Sequence, residues 1–179
     1  LSRQFKEAKD PAHIYYNKLK GDKRNMFKDQ STAMNFIAKN PNKFERKVYG
    51  PVGLHMIVRD PQAACVINDA MGEADLNCFI VQTDADYHTL KNIPGMRSLR
   101  IITIKEVESN PRKWAQYKSF YTNEQIRSFQ HEFGFRGFAG EFIECDDIVK
   151  TYLAKYKDIV LSTVIVSTDN RSNLQEQHM

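Results

Sequence analysis

The chain predicts a mixed α/β domain, with small mixed sheets and packed helices in two subdomains, entered through a basic helical N-terminal arm. Three observations predict it. Over residues 52–104 the apolar positions switch between period two and helical spacing, with capping and turn residues at each change. A Gly50-Pro51 turn separates this patterned region from a lead-in with few core-forming runs. Charge divides at nearly the same place: residues 1–47 hold 12 Lys/Arg and 5 Asp/Glu, a net of +7, while residues 48–179 hold 14 and 17, a net of −3. The expected organisation is therefore an arm over 1–47, subdomains over 48–108 and 109–166, and a polar tail over 167–179.

The arm has helical composition over residues 1–9 and 13–20, broken at Asp10-Pro11. Ser31 or Thr32 is placed to cap a short helix carrying Ala33, Met34, Phe36 and Ile37, stopped before Asn40-Pro41. No heptad is sustained, so the arm by itself is not read as a coiled coil.

In the body, Val52, Leu54, Met56 and Val58 alternate as in a half-buried strand. Asp60-Pro61 provides an N-cap and a first-turn proline for a helix through Ala63, Ala64, Val66, Ile67 and Ala70, ending at Gly72. Residues 76–81 form a nearly continuous apolar strand. Thr83, with Asp84 and Asp86 as first-turn acids, caps a helix through Tyr87 and Leu90 that ends at Pro94-Gly95. Residues 99–104 make a β-branched strand that is apolar on both faces. Five elements in β-α-β-α-β order call for parallel or mixed sheet.

Asn110-Pro111 opens a link containing Trp114, and Thr122 with Gln125 fits a capping box for a helix through Ile126 and Phe129. A Gly-Phe passage over residues 133–142 follows, with Glu141, Phe142 and Ile143 read as extended. Asp146 is placed to cap a helix with Ile148, Val149, Tyr152, Leu153 and Tyr156 on one face, and residues 159–166 return to strand.

Composition bounds the function classes. A chain of 179 residues, 41% hydrophobic and 11% aromatic, has enough apolar material for one shared core. No apolar run approaches the roughly 20 residues of a membrane-spanning helix. It begins Leu-Ser-Arg-Gln-Phe-Lys-Glu, with neither initiator Met nor a signal-peptide core, so a piece of a longer chain is expected. Cys65, Cys78 and Cys145 form no CxxC or zinc-spaced set and are expected to be reduced thiols of an intracellular protein.

Specific chemistry is sparse. The glycines of Gly134-Phe-Arg-Gly137-Phe-Ala-Gly140 lack both the GxGxxG order and the GK[ST] ending of phosphate loops, and tight turns or close backbone approach at a subunit contact fit them better. The alternating phenylalanines there fit a core better than a stacking platform. The five histidines stand apart, and Asp146-Asp147 is explained by helix capping more simply than by a metal. No metal, cofactor or catalytic set is expected.

The strongest chemical signal is the arm. Lys18, Lys20, Lys23, Arg24 and Lys28 cluster near Tyr15, Tyr16 and Phe27, with Lys43, Arg46 and Lys47 nearer the body. Such residues suit a solvated flank, or a surface that follows a phosphate backbone and stacks single-stranded bases. The aromatics equally suit packing of the arm on the body.

An ordered series of segments resembles the hinge domain of structural maintenance of chromosomes (SMC) proteins, most nearly the fifth eukaryotic member. It comprises Met34-Asn-Phe36-Ile37-Ala-Lys-Asn-Pro41-Asn-Lys-Phe44, Lys47-Val48-Tyr49-Gly50-Pro51-Val52, and the strand end Val58-Arg59-Asp60. Asp75-Leu76-Asn77-Cys78-Phe79-Ile80-Val81, Asp84-Ala-Asp86-Tyr87 and Ser98-Leu99-Arg100-Ile101 follow. Phe133-Gly134-Phe135 and Asp146-Asp147-Ile148-Val149 leading to Tyr152-Leu153 complete it. The resemblance implies an SMC-hinge-like fold, a heterodimer with the SMC six hinge, a contribution to single-stranded DNA binding, and a nuclear, chromosomal setting. It implies no catalysis in this segment, since the ATPase of the family resides in head domains. Hinges of this kind continue beyond residue 166, so the second subdomain is expected to be incomplete.

Partner-facing positions are expected on two strand edges, Leu99, Ile101 and Thr103 on one and Val160, Thr163 and Ile165 on the other, with Gly134, Gly137 and Gly140 at close approaches. Burial within this chain competes for the first edge. Two other classes fit the residues: a free-standing nucleic-acid-binding α/β module, and a small α/β enzyme with a site assembled from scattered residues.

Overall fold

The computed structural model describes residues 28–96, 98–107 and 111–167. Tyr15, Tyr16, Phe27 and the cations Lys18, Lys20, Lys23 and Arg24 lie outside the described residues, as does most of the polar tail.

The first helix, α1, spans Lys28–Lys39. Ser31 and Thr32 fall inside it rather than at its start. Its end is closed by Asn40, whose Nδ2 donates to the Phe36 carbonyl at 2.9 Å, before Pro41 stops it. The alternating run 52–58 is mostly not strand. Val52 N donates to Cys78 O and Leu54 N to Pro51 O, both at 2.9 Å, so Val52–His55 closes into a 3₁₀ turn and only Met56–Ile57 (β1) extends. Val52, Met56 and Val58 are nevertheless all buried, so a turn followed by a short strand meets the same hydrophobic demand.

The predicted helix after Asp60 forms as α2, Pro61–Met71: Asp60 Oδ1 accepts from Ala63 N at 2.8 Å, and Gly72 ends it at φ 72°. A short helix, α3 (Glu73–Leu76), then takes Leu76 from the expected strand, which narrows to β2, Phe79–Val81. Thr83 Oγ1 accepts from Asp86 N at 3.1 Å and starts α4, Asp84–Lys91. The strand predicted over 99–104 narrows to β3, Ile101–Thr103, parallel to β2 with Phe79 opposite Ile101 and Val81 opposite Thr103.

A short helix α5 (Pro111–Trp114) and a 3₁₀ turn (Gln116–Phe120) lead to α6, Asn123–Phe133. Both bonds of its predicted capping box are present, Gln125 N to Thr122 Oγ1 and Thr122 N to Gln125 Oε1. Strand β4 (Phe135–Phe138) is followed by a 3₁₀ turn (Ala139–Glu141), which takes Glu141 from the expected extended segment 141–143, and then by β5, Glu144–Cys145, which pairs antiparallel with β1. Helix α7, Asp147–Tyr156, forms as predicted, but Asp146 makes no capping bond from its side chain. Residues 159–166 are not one strand. Asp158–Leu161 is a helical turn, α8, and only Val164–Val166 (β6) extends, antiparallel to β4.

The β2–β3 pair explains the packing. Strand β2 is buried on both faces, as its unbroken apolar run demands. Phe79 and Val81 turn to one side, where Ala33, Leu90 and Ile93 complete a small cluster capped by Met34, Phe36 and Ile37 of α1. Cys78 and Ile80 turn to the other, into a larger core with Val52, Met56, Ile67, Tyr117, Phe138, Tyr152, Leu153, Leu161 and Ile165. Residues before and after position 108 thus share that core, and the lead-in from Lys28 onward is folded against the body rather than free.

Candidate partner and nucleic-acid surface

Among the described arm residues, Lys28, Lys43, Arg46 and Lys47 are all exposed. The last three lie on one stretch whose backbone is pinned from below. Asp86, almost wholly buried at the start of α4, accepts from Glu45 N at 2.8 Å and from Arg46 N at 3.2 Å. With its backbone held, the stretch presents its cations outward. Lys43 Nζ lies 5.2 Å from the Phe36 ring centroid. Lys47 Nζ sits 4.3 Å from the Tyr49 ring centroid and 3.1 Å from Asp146 Oδ2. The hydrogen bond to Asp146 raises the Lys47 pKa. Both partners are about half exposed, so the pair is weak and a phosphate can compete for the ammonium. Asp146, expected as a cap, instead ties the arm to the second half of the chain.

His55 lies beside this pair, edge-on to Tyr49 with ring centroids 5.4 Å apart. Burial, then the neighbouring Lys47 charge, lowers its pKa against the opposing pull of Asp146.

The strand edges divide by kind. Leu99 is half-buried, as are Ile101 and Thr103, and β3 has one hydrogen-bonded strand neighbour, β2, among the described residues. Among the described residues no strand pairs with its other edge. At the second edge, Val160 is in the helical turn α8 rather than a strand, and Val160 and Ile165 are buried in this chain's own core. Thr163 is half-buried, and its Oγ1 donates to Ile159 O at 3.2 Å. The backbone of β6 pairs only with β4 among the described residues.

The three glycines each have a role inside the chain. Gly134 caps α6 in the left-handed conformation, at φ 62° and ψ 54°. A Cβ on Gly137 would stand 2.7 Å from Glu141 Oε2, and one on Gly140 2.7 Å from the Tyr117 ring. Phe135, Phe138, Tyr117, Tyr121 and Phe129 make a chain of ring contacts at centroid distances of 5.1–6.5 Å. These rings pack a core.

Two carboxylates that hold the surface together escape sequence reasoning. Asp86 reads as one of two interchangeable first-turn acids, and only its burial distinguishes it from Asp84. Asp75 accepts from Arg100 Nη1 at 2.8 Å and Lys157 Nζ at 2.5 Å, with the Tyr152 hydroxyl at 3.4 Å. Its position directly before the apolar run 76–81 is the signal that could have marked it. Burial pushes the Cys78 thiol up to about 11 and that of Cys145 up to about 12, so both remain protonated at neutral pH. Among the described residues no group of His, Cys, Asp and Glu side chains is arranged to hold a metal ion.

No protein-family model matches the chain. Among solved structures it is similar to the S. pombe Smc5/6 hinge domain, with a TM-score of 0.63 and 18% sequence identity over 88% of this chain and 54% of that one. The chain spans about half the length of the hinge chain it matches. At this identity the likeness is one of fold, and the fold is that of an SMC hinge.

Proposed function

We propose that the chain is the hinge domain of an SMC protein of the fifth eukaryotic type. In this reading it pairs with the hinge of SMC six and contributes to single-stranded DNA binding on chromosomes in the nucleus, with no catalysis of its own. The observation that carries it is the structural likeness to the S. pombe Smc5/6 hinge across 88% of the chain. The edge of β3 that no strand among the described residues covers supports pairing, with Leu99 and Ile101 half-buried beside it. The exposed cations Lys43, Arg46 and Lys47, continuous in sequence with Lys28 and with Lys18, Lys20, Lys23 and Arg24, support the DNA contact.

Size-exclusion chromatography with light scattering tests the pairing. The chain mixed with an SMC six hinge is expected to elute as a one-to-one complex. Two separate monomers at micromolar concentration would reject the reading.

A further inference from the structure

We propose that Asp146 is a built-in competitor of DNA phosphate for Lys47, and that its carboxylate transfers to the N-terminus of α7 when a strand binds. The inference rests on the reading of the basic stretch as a DNA contact. Lys47 Nζ lies 3.1 Å from Asp146 Oδ2, with side-chain exposures of 60% and 52%, so a phosphate reaches the ammonium without disturbing the core. A phosphate and a carboxylate crowded onto one ammonium repel each other. Occupancy of Lys47 by one therefore weakens the hold of the other, and the effect is reciprocal.

The backbone of each partner is fixed, so the exchange needs only side-chain motion. Gln82 Nε2 donates to Lys47 O at 3.1 Å, and Tyr49 exchanges backbone hydrogen bonds with Ile80 of β2 at 2.9 and 2.6 Å. The Tyr49 ring, 4.3 Å from Nζ, keeps the ammonium in place after the carboxylate leaves. Asp146 has the backbone of a capping residue, with φ −62° and ψ 152°, and its carbonyl accepts from Val149 N and Lys150 N at 2.9 and 3.0 Å. Its side chain nevertheless makes no capping bond. An aspartate at this position ordinarily accepts from the second or third helical N–H, and the second here is that of Ile148. One carboxylate thus has two mutually exclusive partners, Lys47 or the first turn of α7. Capping and the helix dipole offset the lost ion pair, so release of Lys47 costs little.

The test measures anisotropy of fluorescein-labelled oligothymidylate with the full chain and with D146N, D147N, K47Q and K47Q/D146N. Salt of about 0.1 M screens exposed charges beyond about 10 Å. Asparagine caps a helix as aspartate does, so D146N keeps the start of α7 while removing the competing charge. D147N is the charge-matched control, because Asp147 pairs with Lys150 at 3.1 Å rather than with Lys47. D146N is expected to tighten binding about threefold, the scale of one exposed ion pair, and D147N to have a smaller effect. K47Q/D146N is expected to bind no better than K47Q. In the wild type, amide hydrogen exchange at Ile148 is expected to slow when DNA binds, as the released carboxylate takes that N–H. Equal affinities of wild type and D146N overturn the proposal, as do equal gains in D146N and D147N, or a D146N gain that survives in the K47Q background. Unchanged exchange at Ile148 overturns the transfer to α7. Absence of DNA binding in every form rejects the DNA contact itself, whereas binding that K47Q weakens and D146N leaves unaltered rejects this inference alone.

Discussion

Lys157 Nζ lies 2.5 Å from Asp75 Oδ2, joining residues 82 apart in sequence. Asp75 is on α3 beneath the β2–β3 pair, and Lys157 stands between α7 and α8, so the bond crosses between the two halves of the chain. Both side chains are largely shielded from water, and Arg100 binds the other carboxylate oxygen. Removing the carboxylate strands a shielded ammonium. Asp75→Ala is expected to cost about 3 kcal/mol, the low end for breaking a buried pair. D75L/K157M, which removes both charges, is expected to recover most of that loss in urea unfolding. A double variant as unstable as D75A would show that packing, not charge, governs the site.

Asp86 holds two backbone N–H groups of the basic stretch. Asp86→Ala is expected to lose about 2 kcal/mol, because charge-assisted bonds to buried donors are costly to leave unmade. Amide hydrogen exchange at Glu45 and Arg46 is expected to accelerate beyond the global change in stability. Unchanged protection at those two amides would contradict the clamp.

Gly140 leaves no room for a side chain against Tyr117. Gly140→Ala is expected to destabilise by about 2 kcal/mol, as overpacking a filled core does. At Gly95 a Cβ would meet nothing within 4 Å, but φ is 83°, so the same change is expected to cost only about 1 kcal/mol. Thermal unfolding of the two variants checks the order.

The pKa of His55 in the fold is below its ordinary value of 6.5, through burial and the Lys47 charge. Its neutral form is favoured by the fold, so its contribution to stability is complete above 6.5 and drains away as pH falls through the lower folded value. Unfolding free energy is expected to decline on acidification below 6.5, and less so in His55→Phe. Identical pH profiles for the two proteins would remove His55 from the account.

Lys43 and Arg46 project from a pinned backbone. Reversing both charges is expected to weaken single-stranded DNA binding and to lower the slope of log affinity against log salt by about 1.4, at about 0.7 per phosphate contact on single strands. Fluorescence anisotropy across a salt series measures this. An unaltered slope would take these two cations out of the DNA surface.

Local signals predicted what local physics controls. The Asp60 and Thr83 caps, the stop at Gly72 and the Thr122–Gln125 capping box each satisfy backbone groups within one turn, so neighbouring residues suffice to specify them. The unbroken apolar character of β2 likewise foretold burial on both faces. Strand lengths were overestimated at residues 52–58, 76–81 and 159–166, because an apolar run reports burial, and a 3₁₀ turn or short helix buries side chains as well as a strand does.

By itself, then, the sequence determined the α/β class, the starts of α2, α4 and α6 and the division of charge, since each depends on composition or on contacts a few residues apart. Only the tertiary structure decided which acids matter and what they hold. Asp86 beneath residues 45–46, Asp75 against Lys157, and Asp146 against Lys47 all join positions that no periodicity links. The physical reason is that an electrostatic or hydrogen-bonding partner is chosen by distance in space, and chain packing sets that distance.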